Sequence, residues 1–442
     1  MRRLALVLLV VTACGDQISV PPTDEATSGT RLKAEWLFYG DGSRQIAPAA
    51  YYDTALHIRC MPRDWVDGTV RCVPEADDAF YTDDVCETAA GYAAVIAKPR
   101  HFLTYDVVGD DRLPAVIYHS STTAIDPPAQ LYELVGGKCT LRGAAPAEFP
   151  WFEISGVGDV VELTERETDA GDRLVLRVRE SADGLHVPLG LRDTLLDVPC
   201  RPEGESCVPA IPDVADVFLD NLCETPGVGV PFGSPPPRFV RLEHAQGCPT
   251  FHAIGAPFDG PVFRRAGTQC RPAFAVPALR GHALGPAIDP APLAREIEEP
   301  RGRRLGAIAL SSGPLRIHDQ RMFDTATRAE CVPTQYDGVV RCTPASVLPA
   351  IVLYAAGCQH PVRIAEVPAQ SCTSAAAFAT YTPPEVIGPE LHAIGAPLTT
   401  PLYDARTGGC VPYVAPAGFT PHALGPVLPP ETFVGGHAAG ER

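Results

Sequence analysis

The sequence predicts an all-β fold built from three internal repeats of about 135 residues each and stapled by disulfides. Three observations carry that expectation. The 47 prolines and 39 glycines are scattered between short apolar runs, which suits many short strands joined by turns and disfavours long helices. Fifteen cysteines divide into Cys14, near the N-terminus, and an even set of fourteen from Cys60 to Cys410. Twelve of those fourteen recur in register three times.

The repeat begins with an Asp-Thr pair seven residues before a cysteine: Asp53-Thr54 before Cys60, Asp193-Thr194 before Cys200, and Asp324-Thr325 before Cys331. A second cysteine follows in each segment, at Cys72, Cys207 and Cys342. It comes just after Asp67-Gly68, Glu203-Gly204 and Asp337-Gly338 respectively. Asp-Gly between apolar residues is a hairpin signal, because Gly takes the positive φ that a tight turn needs. The third cysteine, Cys86, Cys223 or Cys358, ends an apolar run, and the fourth, Cys139, Cys270 or Cys410, closes a Gly-containing turn. Units two and three share more: His252-Ala-Ile-Gly-Ala-Pro257 matches His392 to Pro397, and His282-Ala-Leu-Gly-Pro286 matches His422 to Pro426. Runs such as Leu174–Val178 and Ile351–Tyr354 have the β-branched or aromatic character of strands. Seven or eight strands per unit are expected, and one helix-like connector at Pro292–Glu299.

These marks divide the chain into residues 31–170, 171–301 and 302–442. Each unit has a three-cysteine first half and a second half around the fourth, so two four-stranded sheets per unit would make a six-bladed array. No Pro/Ser-rich linker separates the units, which favours a propeller-like closed array over three tandem β-sandwiches or barrels.

The simplest pairing joins first with second and third with fourth cysteines: Cys60–Cys72, Cys200–Cys207, Cys331–Cys342, Cys86–Cys139, Cys223–Cys270 and Cys358–Cys410. Cys248 and Cys372 remain. They pair with each other or rearrange their units as Cys223–Cys248 and Cys358–Cys372; spacing alone leaves both open. With no Cys-x-x-Cys present, neither a zinc knuckle nor a redox dithiol is indicated.

The N-terminus has the plan of an export signal: Arg2 and Arg3, eight apolar residues from Leu4 to Val11, then Thr12 and Ala13. The apolar core is too short to span a membrane as a helix, for which about 20 residues are needed. Val11-Thr12-Ala13-Cys14 resembles the lipobox of bacterial lipoproteins. That resemblance implies cleavage before Cys14 (signal peptide 1–13), a lipid on its sulfur, and membrane attachment through the acyl chains. Residues 14–30 are then the lipidated cysteine and a flexible tether rich in Asp, Ser, Thr, Pro and Gly. Gly15, where an Asp would resemble an inner-membrane retention signal, leaves the outer membrane as the default destination. With its Asp-Thr-x5-Cys and Asp-Gly-x-x-Arg-Cys units, the chain is also similar to uncharacterised Cys-rich repeat lipoproteins of myxobacteria-like bacteria. That likeness implies an envelope location, and its motifs carry no known activity.

The formal charge of −17 falls to −19 once Arg2 and Arg3 leave with the signal, and no basic block survives. Nucleic acid is therefore not an expected partner. The three lysines, Lys33, Lys98 and Lys138, stand against 33 arginines among the 36 basic residues, a skew that base composition explains. The repeated His252, His282, His392 and His422 are the candidate ligand-binding residues, with His119 alone near an equivalent place in unit one. They lack the spacing of a contiguous ligand pair, so no metal and no cofactor is assigned. The repeated Asp53, Asp193 and Asp324 suit turn capping. Asp77-Asp78, Asp83-Asp84 and Asp110-Asp111 lack a regular calcium loop and suit a solvated surface. No nucleophile elbow, metalloprotease motif or phosphate-cradling loop occurs, so no catalytic residue is assigned. The expected role is a membrane-anchored envelope protein whose β body binds an unidentified protein or envelope glycan. The alternative is a secreted hydrolase with its site in a central channel or a cleft between units.

Overall fold

The computed structural model describes residues 26–440 apart from 93–100, 110, 169–170, 211–213, 245–247, 267–268, 274–278, 301–302, 356, 370–375, 384–388, 406–408 and 417. The signal, Cys14, the tether to residue 25, Asp110 and Cys372 lie outside the described residues.

The fold is all-β, and its largest element is one antiparallel sheet of sixteen strands. Unit one contributes β1 (Leu32–Tyr39), β2 (Arg44–Asp53), β3 (Ile58–Asp64) and β4 (Val70–Pro74), followed much later by β5 (Glu162–Thr168). Unit two contributes β6 (Leu174–Glu180), β7 (His186–Asp193), β8 (Val198–Glu203) and β9 (Ser206–Pro209), then β10 (Ala291–Pro292) and β11 (Ala294–Ile297). Unit three contributes β12 (Leu305–Ser312), β13 (Leu315–Asp324), β14 (Ala329–Tyr336) and β15 (Val339–Pro344), then β16 (Gly435–Gly440).

Each unit thus lays down a four-stranded meander, and a later strand from the same unit joins that meander to the next one. β5 pairs with β4 on one side (Leu163↔Val70) and with β6 on the other (Arg166↔Val178). β16 pairs with β15 (Arg341↔Gly435) and returns to β1 (Leu37↔Ala438). At the third junction β10 pairs with β9 and β11 with β12, and only Leu293 separates β10 from β11. The hydrogen-bonded order therefore runs from one side of the segment Ala291–Ile297 round to its other side.

This arrangement replaces the expected propeller. Propeller blades are separate sheets packed face to face. Here the three meanders are hydrogen-bonded edge to edge by the joining strands, which leaves no independent blades. The expected helix at Pro292–Glu299 is the joining segment itself, extended from Ala294 to Ile297. Its Ala, Arg and Glu side chains favour helix locally, but the unpaired edges of β9 and β12 offer backbone hydrogen bonds that outweigh that preference. The expected tether also ends early. Ala26 is buried against Leu32 and Leu185, and the Thr27 and His186 backbones exchange hydrogen bonds of 2.8 and 3.0 Å.

The chain between each meander and its joining strand forms an outer seven-stranded sheet, at Asp77–Val157, Val217–Ala287 and Val347–Val427. A unit thus holds more than the seven or eight strands expected. In the first outer sheet five strands close into a small barrel, from Asp77–Tyr81 through Ala89–Tyr92, Trp151–Val157, Asp111–Ile125 and His101–Val108 and back. The third outer sheet has the same five kinds of pairing.

Among the described residues six disulfides staple the meanders and the outer sheets. Cys60–Cys72, Cys200–Cys207 and Cys331–Cys342 join the third and fourth strands of each meander and are buried in the core. Cys86–Cys139, Cys223–Cys270 and Cys358–Cys410 close loops of 53, 47 and 52 residues in the outer sheets. In the chain-entropy picture the long loops contribute about 4 kcal/mol each and the hairpin bridges about 2.5 kcal/mol. Cys223 and Cys358 are committed to these bonds, which excludes the rearranged pairing with Cys248 and Cys372. Cys248 is itself disulfide-bonded. Such bridges belong to an exported protein folded in an oxidising compartment.

Candidate functional site

A buried carboxylate recurs at the same corner of all three meanders. Asp53, Asp193 and Asp324 are fully buried. Asp53 accepts hydrogen bonds from the amides of Ala55 and Leu56 at 2.9 and 3.1 Å, and from Arg31 Nε at 2.9 Å. Asp193 does the same with Leu195, Leu196 and Arg173, and Asp324 with Ala326, Thr327 and Arg304. The Thr that follows each Asp donates its hydroxyl to the carbonyl of that same Arg, at 2.9 Å in each unit. These aspartates cap turns and hold an arginine. The arginine partner has a sequence signal that motif reading passed over, the Arg-Leu pairs Arg31-Leu32, Arg173-Leu174 and Arg304-Leu305.

A second device locks the units to one another. Asp41, in the β1–β2 turn, accepts the amides of Arg304 and Leu305 at 2.9 and 2.8 Å. Asp183, in the β6–β7 turn, accepts the amides of Arg31 and Leu32, both at 2.7 Å. Burial pushes both carboxyls up, but these amides and the Ser43 and Ser181 hydroxyls outweigh it and hold both below the usual carboxylate range. Unit three has Gly313 at the corresponding turn, so its junction with unit two lacks this clasp.

The three meanders meet along their second strands, where β2 touches both β7 and β13. A cavity of about 320 Å³ lies there, walled by residues of all three units. Each second strand is bulged at this level, between Ile46 and Tyr51, between Pro188 and Gly190, and between His318 and Met322. Bulges re-aim side chains and are common beside functional sites. Counting back from the repeated Asp, units one and two place Ala47-Pro48-Ala49-Ala50 and Val187-Pro188-Leu189-Gly190 at this level of the strand. Unit three places His318-Asp319-Gln320-Arg321 there, and all four line the cavity.

The charges in this wall are paired. Asp319 takes Arg321 Nε at 2.9 Å, and Arg321 Nη1 stands 2.9 Å from Glu330. Burial alone would lower the Arg321 pKa; the Asp319 and Glu330 carboxylates overcome it and hold the guanidinium above its ordinary value. Glu298 accepts from Arg316 at 2.8 Å and lies 3.5 Å from His318 Nε2. Burial would raise its pKa, but Arg316 and His318 hold it down. Tyr39 donates to Gln45 at 3.0 Å, and Gln45 donates to the Gln320 carbonyl, so unit one supports the unit-three bulge. Burial, with the Asp41 charge adding to it, pushes the Tyr39 hydroxyl up to about 12.

Trp36 forms part of the same wall. Its ring is only 9% exposed, the Arg44 guanidinium carbon sits 4.5 Å from its centroid, and its buried Nε1 has no hydrogen-bond partner. Leu176, Ile317 and Met322 supply apolar wall. A larger hollow of about 680 Å³ shares Arg44, Glu298, Ala307 and Met322 with this cavity.

The repeated histidines lie elsewhere, in two separate outer sheets. His252 Nδ1 is 3.1 Å from the Gly285 carbonyl, His392 Nδ1 is 2.9 Å from Gly425, and His422 Nδ1 is 2.8 Å from Gly395. Each of these rings pins the facing strand at the glycine of the partner motif. His282 is buried on the corresponding strand. His119 packs edge-on to His101, with ring centroids 5.1 Å apart. No group of three or more His, Cys, Asp or Glu among the described residues is placed to hold a metal ion. Of the paired acids, Asp83 accepts the amides of Val85, Glu87 and Thr88, and Asp78 pairs with Arg112 at 3.1 Å. Asp220 repeats the Asp83 loop in unit two, and bonds from Thr225 and Glu224 hold it at about 2.

Residues 7–433 match a family of unknown function, DUF7481. The chain belongs to that family. No curated protein and no solved structure matches it. The match runs through all three meanders and all three outer sheets and stops just before β16.

Proposed function

We propose that this member of the DUF7481 family is a lipid-anchored envelope protein whose β body is a binding module, with the cavity at the meeting of the three meanders as its ligand site. One observation carries the reading: at the cavity unit three places His318, Asp319, Gln320 and Arg321 where its sister units carry Ala, Val, Leu, Pro and Gly. The Trp36 indole adds a buried donor that a ligand acceptor would satisfy, and an unsatisfied buried donor is costly. The ligand that suits this wall has an apolar face for Leu176 and Ile317 and an acceptor for Trp36, as a protein side chain or a group on an envelope glycan would.

Anchoring through Cys14, in the outer membrane by default, is part of the proposal and rests on the lipobox resemblance. The hydrolase alternative would use the same cavity. Its two carboxylates, Asp319 and Glu298, are each held by an arginine, and this favours recognition over general-base chemistry.

Two measurements test the two halves. Globomycin-sensitive lipid labelling should be present in the wild type and absent in Cys14→Ala; an unlabelled wild type refutes the anchor. Envelope glycan and protein fractions should quench tryptophan fluorescence saturably, with Trp36→Phe and Gln320→Ala each weakening the best binder about tenfold, as expected for loss of one or two buried hydrogen bonds. Binding unchanged in both variants refutes the site.

A further inference from the structure

Where unit two meets unit three, a separate pocket of about 330 Å³ is lined by three arginines, Arg295, Arg321 and Arg328, with Glu330 as the one acid. Arg295 projects from the joining strand β11, opposite Leu310 of β12. Its Nη1 pairs with Glu330 Oε1, and Arg321 Nη1 takes the other oxygen of that carboxylate at 2.9 Å. Glu330 is thereby used up by two guanidiniums. Arg321 spends its Nε and Nη2 on Asp319 and the Pro202 carbonyl.

Arg295 is different. Its Nε and Nη2 are both buried and neither has a hydrogen-bond partner. Those two nitrogens form the side-on edge of a guanidinium, whose parallel N–H groups match two oxygens of a carboxylate, phosphate or sulfate. Buried N–H groups without an acceptor are unfavourable unless something fills them. Arg328 is an exposed guanidinium on the same pocket, and Val332 and Phe378 form an apolar wall.

This charge is specific to one junction. The strand β5, which joins units one and two as β11 joins two and three, places Glu165 opposite Arg179. Arg179 and Leu310 each lie five residues after the Leu of the Arg-Leu pair, so Arg295 stands where the sister junction has an acid. At that sister junction Glu165 is satisfied by Arg177 and Arg179. Of these two junctions, only that between units two and three carries an arginine at this place, with its Nε and Nη2 unpartnered.

We propose that the pocket between units two and three is an oxyanion-binding site, in which Arg295 grips the anion through Nε and Nη2 and Arg328 assists from the rim. The ligand class is an oxyanion, either a free ion or the terminal group of a larger molecule whose body rests on Val332 and Phe378. This pocket shares Arg321 alone with the cavity at Trp36.

Calorimetric titration of the whole exported body at low ionic strength tests it, with inorganic phosphate, sulfate and acetate as probes and sodium chloride as the ionic-strength control. Saturable binding of at least one of the three oxyanions, absent with chloride, is expected. Arg295→Lys keeps the charge but loses the fork, and should weaken that binding at least about tenfold. Arg328→Gln should weaken it a few-fold, and Trp36→Phe should leave it unchanged. Glycerol phosphate binding more tightly than inorganic phosphate identifies the head group of a larger ligand as the source; equal affinity identifies the free ion. No saturable binding of any probe up to about 50 mM overturns the proposal. So does equal affinity in the wild type and Arg295→Lys. Should Arg295→Lys fail to fold, unchanged affinity in Arg328→Gln overturns it instead.

Discussion

The ring of meanders and the outer sheets solve the same problem, holding three copies of a β unit, by different means. In the ring the fastening is a buried ion pair, Arg31–Asp53, Arg173–Asp193 and Arg304–Asp324, present in every unit with the same turn amides. In the outer sheets it is a histidine on a glycine carbonyl, present in units two and three. Unit one builds the corresponding pair of irregularities between Phe152 and Val157 without that motif. The difference follows from what each layer must satisfy. A buried carboxylate cannot lose its partner without a large penalty, so the ring corner holds its residue identities in all three copies. An outer sheet closed by backbone pairing and a disulfide can exchange one side-chain brace for another.

The largest effect should come from breaking that contrast directly. Asp193→Ala strands Arg173 and two turn amides, and should cost about 3 kcal/mol in denaturant unfolding. His392→Ala removes one hydrogen bond to a carbonyl and should cost about 1 kcal/mol. Similar losses for the two variants would erase the distinction between the layers.

The junctions sharpen the comparison through pH. Asp41 and Asp183 have depressed pKa values, so their contribution to stability is complete well above the ordinary value of 3.8. It is lost as pH falls through 3.8 toward the folded-state value. Hydrogen exchange corrected for intrinsic rate should therefore speed up at pH 3 for the amides of Arg31, Leu32, Arg304 and Leu305. The amides of Arg173 and Leu174, at the junction with no such carboxylate, should show little change. Equal acceleration at all three junctions would remove the clasp from the account.

The smallest effect concerns the turn that the buried Asp caps. His57, Asp197 and Arg328 occupy the same position in the three units, with φ of 55°, 56° and 53°. Left-handed backbone is unfavourable for a residue with a Cβ, and Gly removes that penalty at some cost in chain entropy. His57→Gly should raise the melting stability by about 0.5 kcal/mol.

Much of the fold was legible because the residues that mark it are chemically irreplaceable. Cysteines and Asp-Thr turns recur in all three units, and Asp337-Gly338 takes positive φ at both positions, as a tight hairpin requires. The closing of the ring was not legible. β5, β10, β11 and β16 make their bonds through the backbone, which places almost no demand on side-chain type, so Ala291–Ile297 could be read as a helix. The candidate site was legible only as a departure. His318 to Arg321 carry no motif and gain meaning once β13 is aligned on Asp324 against β2 and β7.

By itself the sequence determined the all-β character, the three units and the oxidising compartment, because turn geometry and disulfide chemistry act over short, repeated spacings. The tertiary structure decided how the units join, which carboxylates are clasped, and where polar residues converge. Those depend on strand partners more than a hundred residues apart, such as Arg31 with Asp183 and Leu37 with Ala438. No local pattern encodes contacts of that span.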